Sequence, residues 1–140
     1  MKRRILSLLC AAVLVFGLAV PALAAENASY YFSHTDVRAY AMGDGEILFA
    51  IDVTATHTMD EVGARIVFVF EQQDDGEYEV VHTFRMEDHD YMTWKGRAYA
   101  SIDVYYQGTP GTKYYAYIGC YAQDEEGSET MYFVTNVVTA

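Results

Sequence analysis

The sequence predicts an all-β fold, in which about seven antiparallel strands form a sandwich of two sheets. Three observations support this prediction. Apolar and polar residues alternate through most of the chain after residue 30, as they do in strands with one buried face. Turn residues, mainly Gly and Asp, separate the alternating segments, and the 140 residues include only two prolines. No segment after residue 30 repeats its apolar residues with the period of a helix.

The N-terminal residues 1–24 have the layout of a secretory signal peptide. Residues 2–4 are basic, residues 5–20 are apolar, and residues 22–24 include the small side chains that signal peptidase requires. An uncleaved membrane anchor is the alternative interpretation, but no second apolar span follows. We therefore expect cleavage, secretion into the extracellular space, and a single domain at residues 25–140 without a membrane span.

Seven segments have the composition of strands, because β-branched and aromatic residues alternate in them with polar residues. The second and fifth segments alternate cleanly, the third is apolar on both faces, and the sixth contains four tyrosines. Residues 86–95 are the longest stretch without this pattern, so Trp94 is expected in a loop. In chain order, the expected strands are residues 34–42, 45–56, 64–72, 77–85, 96–106, 112–123 and 129–139.

Turns between these strands are expected where Gly and acidic residues cluster. Asp75-Gly76 favours positive φ angles, which predicts a tight hairpin between the third and fourth strands. The sequence DEEGSE predicts a second hairpin between the last two strands. The expected turns are residues 43–45, 59–61, 74–76, 108–111 and 124–127.

The charge of the chain limits its partners. After cleavage it would keep all 20 acidic side chains and six of the nine basic ones, a formal charge of −14. A field of this sign repels phosphate groups, so neither nucleic acid nor an anionic membrane surface is expected as a partner. Solubility is the simplest explanation of the charge.

The two cysteines predict a protein without an intramolecular disulfide. Cys10 would leave with the signal peptide, so Cys120 would remain alone. A reactive nucleophile and a bridge between two copies are alternatives for Cys120. Its place within an apolar strand favours a small, buried packing residue.

The sixth expected strand carries a recognisable motif, PGTKYYAYIGCYA. It resembles the sixth strand of fibronectin type III and related immunoglobulin-like domains, which have Pro-Gly-Thr, one residue, Tyr, and then alternating apolar positions. The resemblance implies an immunoglobulin/fibronectin type III-like sandwich in which Tyr114 is the corner tyrosine. Its ring would pack at the sheet edge, and its hydroxyl would bond to a backbone group upstream.

The chain after residue 30 also resembles a group of small, secreted, uncharacterised proteins of Firmicutes. This resemblance implies a bacterial, secreted protein and brings no activity with it. The matching segments are residues 39–40, Phe49, residues 52–56, residues 59–64 and residues 108–117.

A candidate binding surface follows from the direction of the side chains in two strands. If Tyr114 faces the core, the odd-numbered tyrosines of its strand face outward. In a fibronectin-like sheet, residues 64–72 pair with this strand and add outward phenylalanines. Contiguous aromatic surface on a soluble domain usually indicates a contact. The predicted aromatic patch consists of Phe68, Phe70, Tyr115, Tyr117 and Tyr121.

Three interpretations of this patch remain open. Cross-strand aromatic pairs stabilise a sheet without any ligand, and residues 86–95 are long enough to cover them. Alternatively, the patch binds an extracellular protein or a second copy of the chain, which would give a homo-oligomer. The third interpretation is a platform on which sugar rings of a cell-surface glycan stack.

Catalytic and metal-binding patterns are weak. The histidines at positions 34, 57, 82 and 89 have no metal-ligand spacing, and the acid-rich residues 87–90 could hold a divalent cation but lack the EF-hand pattern. No nucleophile motif or phosphate loop occurs. We expect no enzymatic activity, no metal and no cofactor. The prediction is a secreted, non-catalytic interaction module, with an extracellular carbohydrate-binding module as the alternative.

Overall fold

A computed structural model describes residues 29–140, which form an all-β fold of seven strands in one curled antiparallel sheet. The predicted signal peptide lies outside the described residues. Within residues 29–140, no helix has the length and apolar character that a membrane span requires. The strands are β1 (Phe32–Gly43), β2 (Glu46–Gln72), β3 (Tyr78–Arg85), β4 (Thr93–Gln107), β5 (Lys113–Asp124), β6 (Gly127–Val134) and β7 (Val138–Thr139), with a 3-10 turn at Asp90–Met92 before β4.

The expected second and third strands are one strand of 27 residues, β2, so the turn predicted at residues 59–61 is wrong. Met-Asp-Glu contains no glycine, and Met59 and Val62 are fully buried. The chain therefore continues in extended conformation. Its register with β4 shifts between Thr54 and Met59, which marks an irregularity in the ladder at this point.

Strand β2 is the centre of the sheet and has partners on both of its edges. Its first part pairs with β1 and β4, and its second part pairs with β3 and β5. Strands β6 and β7 both pair with β5. Because the sheet is curled, one of its faces encloses the core.

Alternating residues of β2, β4 and β5 fill this core. Each fully buried aliphatic or aromatic side chain contributes about 1.5–3 kcal/mol through the hydrophobic effect. The largest fully buried side chains are Tyr114, Phe49, Ile47, Ile51, Met59, Met92, Ile102, Ile118, Val53, Val62, Val67 and Val69.

Gly63 is required where β2 has partners on both edges. It pairs with Thr93 of β4 and with Tyr121 of β5. A Cβ atom at this position would lie 2.3 Å from the carbonyl oxygen of Met92 and 2.8 Å from the Cα of Thr93. The backbones therefore approach more closely than any larger residue allows.

The predicted hairpins after β2 and β5 are confirmed. Gly76 has a φ of +87°, and its N–H donates to the carbonyl of Gln73 at 2.9 Å. In the β5–β6 hairpin, the carboxylate of Asp124 accepts hydrogen bonds from the backbone N–H groups of Glu126 and Gly127. Each turn thus satisfies its own polar groups.

Two further expectations need correction. Trp94 lies in β4 opposite Val62, and the guanidinium of Arg97 stands 4.4 Å from its ring centroid.

The last expected strand is split into β6 and β7. Between them, the side-chain amide of Asn136 bonds to both the N–H and the carbonyl of Ala39, each at 2.9 Å. A side chain here takes the place of a strand partner for β1.

Candidate binding face

The outer side of β3, β2, β5 and β6 carries two rows of aromatic rings. In the first row, Phe70 and Tyr115 are directly paired and their rings stack, with centroids 4.7 Å apart and planes 6° apart. Tyr78 of β3 extends the row, since its ring meets Tyr115 edge-on at 4.9 Å. The row therefore crosses three strands.

The second row runs parallel to the first and reaches the sheet edge. Phe68 is paired with Tyr117, and their ring centroids are 6.4 Å apart. Tyr117 also stacks on Tyr132 of β6 at 5.0 Å, with 19° between the planes. Stacked rings cover one another's flat faces, so this row presents mainly ring edges and hydroxyls to the solvent.

The name aromatic face is used here for the rings of Phe68, Phe70, Tyr78, Tyr115, Tyr117 and Tyr132. Tyr117 is 37% exposed and Tyr132 is 47% exposed, while Phe68, Phe70 and Tyr115 are half-buried in their stacks. Val80 and Val134 widen the surface at either side, with 49% and 60% exposure. The result is a surface of aromatic and aliphatic side chains on one side of the sheet.

The structure brings together four of the five residues of the predicted patch. Tyr121 is the exception, because it is 7% exposed and so is not an accessible contact residue. Its neighbour across the ladder is Gly63, which has no side chain, and the guanidinium of Arg65 covers its ring at 5.7 Å. The alternating pattern is kept, but these neighbours bury the ring.

Sequence reasoning missed Tyr78 and Tyr132, which enlarge the aromatic face. Tyr132 could have been found, since β6 alternates and Phe133 faces the core opposite Ile118. The Tyr132 ring fits in its position because the residue paired with it is Gly119. A Cβ atom on Gly119 would lie 3.0 Å from both the Tyr132 ring and the Ile66 side chain. Only the pairing of three strands shows this arrangement.

Two arginines stand at one end of the aromatic face. Arg65 lies at a register shift of β2, and Arg85 is paired with Ile66. Both side chains are exposed. They line an open depression of about 410 Å³ together with Ile66, Glu87, Thr130 and Tyr132.

Tyr114 lies beneath the face and is fully buried. Its hydroxyl accepts a hydrogen bond of 2.8 Å from the N–H of Thr109 and donates to the carboxylate of Glu71. Burial, together with the bond to Glu71, raises the pKa of Tyr114. Its hydroxyl thus ties the β4–β5 loop to the end of β2.

The thiol of Cys120 lies in the core. Cys120 is fully buried, and this burial raises its pKa to about 12. Its thiol is therefore neither ionised nor accessible at neutral pH.

A Thr–His–Asp chain, which the sequence did not indicate, lies near the β5–β6 hairpin. The imidazole of His57 contacts the Thr56 hydroxyl and the Asp124 carboxylate, both at 2.9 Å. The Thr56 hydroxyl itself donates to the carbonyl of Tyr30 at 2.7 Å, so its proton is already committed to a structural bond. Although partial desolvation of Asp124 opposes the change, the bonds from His57 and the hairpin N–H groups lower its pKa.

In the acid-rich segment of residues 87–90, the candidate metal ligand His89 packs against aromatic rings. The ring of His89 packs against Phe84 at 5.7 Å and Tyr91 at 5.3 Å. In the part of the chain that the structure describes, no three His, Cys, Asp or Glu side chains converge as metal ligands.

Comparison with protein-family models, with curated proteins and with solved structures found no match for this chain. Function is therefore inferred from the geometry of the chain itself.

Proposed function

We propose that this protein is a secreted, non-catalytic interaction module that binds an extracellular protein through the aromatic face. The observation that carries the proposal is the continuous surface in which Tyr117 and Tyr132 remain 37% and 47% exposed. Tyrosines are favoured at protein interfaces because each supplies a large rigid area and a hydroxyl at a small entropic cost. Secretion follows from the expected signal peptide.

Within this proposal, the fold is an immunoglobulin/fibronectin type III-like sandwich. The first part of β2 with β1 and β4 would form one layer, and its second part with β3, β5 and β6 would form the other. The buried hydroxyl of Tyr114, bonded to Thr109, also supports this assignment. The aromatic face would then be the outer side of the second layer.

The stacking geometry favours a protein over a glycan. A sugar ring stacks on the open flat face of an aromatic ring. In the rows described above, Phe70 and Tyr115 cover each other's flat faces, as do Tyr117 and Tyr132. Edges and hydroxyls suit the irregular, mixed contacts of a protein partner better than the repeated planes of a polysaccharide.

Charge favours a different protein over a second copy of this chain. Residues 29–140 contain 19 acidic and six basic side chains, a formal charge of −13. Two such molecules repel each other as they approach, which slows and weakens self-association.

The test is selection of a phage-displayed random peptide library on the full chain, with a glycan array and sedimentation velocity in parallel. We expect peptides that bind the wild type and bind Phe68→Ser/Tyr117→Ser at least about tenfold more weakly. Tyr40→Ser/Tyr105→Ser is the control, because it also removes two aromatic rings from the surface, at residues that are 46% and 53% exposed but lie on β1 and β4. The control should bind like the wild type.

Each other result contradicts the proposal in its own way. Glycans retained on the array in place of peptides would make the protein a carbohydrate-binding module, and a concentration-dependent dimer would make the face a homo-oligomer contact. If Phe68→Ser/Tyr117→Ser unfolds, Tyr132→Ser decides instead, since Tyr132 is at the sheet edge. Unchanged binding by a folded Tyr132→Ser variant would show that the rings only stabilise the sheet.

A further inference from the structure

The aromatic face differs in charge from the rest of the molecule. Among residues 29–140, two of the six basic side chains, Arg65 and Arg85, stand at one end of this face. The outward positions in the ladder rows from Ile66 to Phe70 contain no acidic residue on β3, β2, β5 or β6. Although residues 29–140 contain 19 acidic side chains, this leaves an apolar surface with a basic end.

The two arginines are free to accept a ligand. In the described part of the chain, neither lies within 4 Å of a carboxylate, whereas Arg38 on β1 pairs with Asp36 at 2.8 Å. Arg65 is also held in position, because its guanidinium stands over the Tyr121 ring at 5.7 Å. One carboxylate, that of Glu87, lines the same depression, so the three charged groups leave one net positive charge.

The depression connects these charges to the aromatic face. Tyr132 forms both the end of the second aromatic row and part of the wall of the depression. The side chains of Ile66 and Tyr132 both approach Gly119 and both line the depression. A ligand that reaches the arginines therefore lies next to an aromatic ring.

We propose that this end of the face binds a carboxylate of an acidic peptide segment, so that the partner contacts the protein through an acidic residue next to an aromatic or apolar one. This inference rests on the proposed function and specifies the chemistry of the partner. The planar guanidinium fork of arginine matches a carboxylate through two parallel hydrogen bonds. The apolar neighbour in the partner segment would pack against Tyr132.

The probe for this test is a fluorescent random copolymer of glutamate and tyrosine, titrated into the full chain and followed by anisotropy. We expect binding at physiological ionic strength, where screening confines the repulsion from the formal charge of −13 on residues 29–140 to short distances and the contacts with the arginines remain. Arg65→Gln/Arg85→Gln should bind about tenfold more weakly under the same conditions. Arg65→Lys/Arg85→Lys keeps the charge but lacks the guanidinium fork, so its affinity for the copolymer should lie between those of the wild type and the glutamine variant. The control Arg38→Gln should bind like the wild type.

The outcomes separate this inference from the proposed function. If the glutamine variant binds the copolymer like the wild type while Phe68→Ser/Tyr117→Ser does not, the aromatic face is a binding site and the arginine inference is wrong. A loss of copolymer binding in Arg38→Gln as large as that in the double glutamine variant also overturns the arginine inference, because only the overall charge would then matter. If the wild type does not bind the copolymer, the acidic-segment inference fails, and only the peptide selection then tests the proposed function. Circular dichroism of each variant confirms that it is folded.

Discussion

At the residue scale, the buried hydroxyl of Tyr114 connects two parts of the chain. It accepts from Thr109 in the β4–β5 loop and donates to Glu71 at the end of β2. Tyr114→Phe removes both bonds and should lower the free energy of unfolding by about 1–2 kcal/mol, measured by urea denaturation. Tyr105→Phe is the control, since Tyr105 is exposed and its hydroxyl loss should cost almost nothing. Equal stability of Tyr114→Phe and the wild type would show that the hydroxyl has no structural role.

Asp124 gives the molecule a pH-dependent contribution to stability. Despite some desolvation, bonds from His57, Glu126 and Gly127 lower its pKa below the ordinary 3.8. A carboxyl group with a lowered folded-state pKa stabilises the fold above pH 3.8, and this stabilisation is lost as the pH falls through the folded-state pKa.

Asp124→Asn should therefore lower the Tm at pH 7, and the difference from the wild type should shrink below pH 3.8. Tyr31, whose hydroxyl is 3.4 Å from the carboxylate, and Tyr30 also interact with Asp124, and both phenols stay protonated throughout this range because their pKa values are raised above 10. Glu125→Gln, at an exposed neighbouring position, controls for the loss of one negative charge. A Tm difference that stays constant from pH 7 to pH 2 would rule out this role for the Asp124 carboxylate.

At the element scale, β2 depends on the close approach of backbones at Gly63. Gly63→Ala would put a methyl group 2.3 Å from the Met92 carbonyl oxygen, which cannot move without shifting β4. We expect a loss of roughly 3 kcal/mol or more in unfolding free energy. Gly96→Ala is the control, because its φ of +66° is also unfavourable for alanine but no atom lies within 4 Å of the new Cβ. It should cost only about 1–2 kcal/mol, and similar losses in both variants would show that the contact at Gly63 relaxes easily.

Strand faces were predictable from the sequence, whereas strand continuity was not. Alternation correctly oriented Ile118, Tyr117 and Tyr115, since burial in a sheet follows the period of the strand. It could not show that β2 runs through residues 59–61, because that depends on partners far away in sequence. The burial of Tyr121 was missed for the same reason: Gly63 and Arg65 decide it, and both belong to another strand.

At the scale of the whole molecule, the core alone protects Cys120. Its pKa of about 12 and its full burial predict a thiol that reacts only when the fold opens. In a Cys10→Ser variant, modification by a thiol-specific disulfide reagent at pH 8 should be at least about 100-fold slower in the native protein than in guanidinium. Matching rates in the two conditions would mean that the core around β5 is open.

The pairing of one strand with four others has a consequence for the motions of the protein. Strands β1, β3, β4 and β5 all pair with β2. If the strands paired with one part of β2 separated from it, β2 would lose hydrogen-bond partners there, and the same strand supports the strands paired with its other part. Amide protons at opposite ends of β2 should therefore exchange with solvent through a single shared global event, without an independent subdomain that melts first.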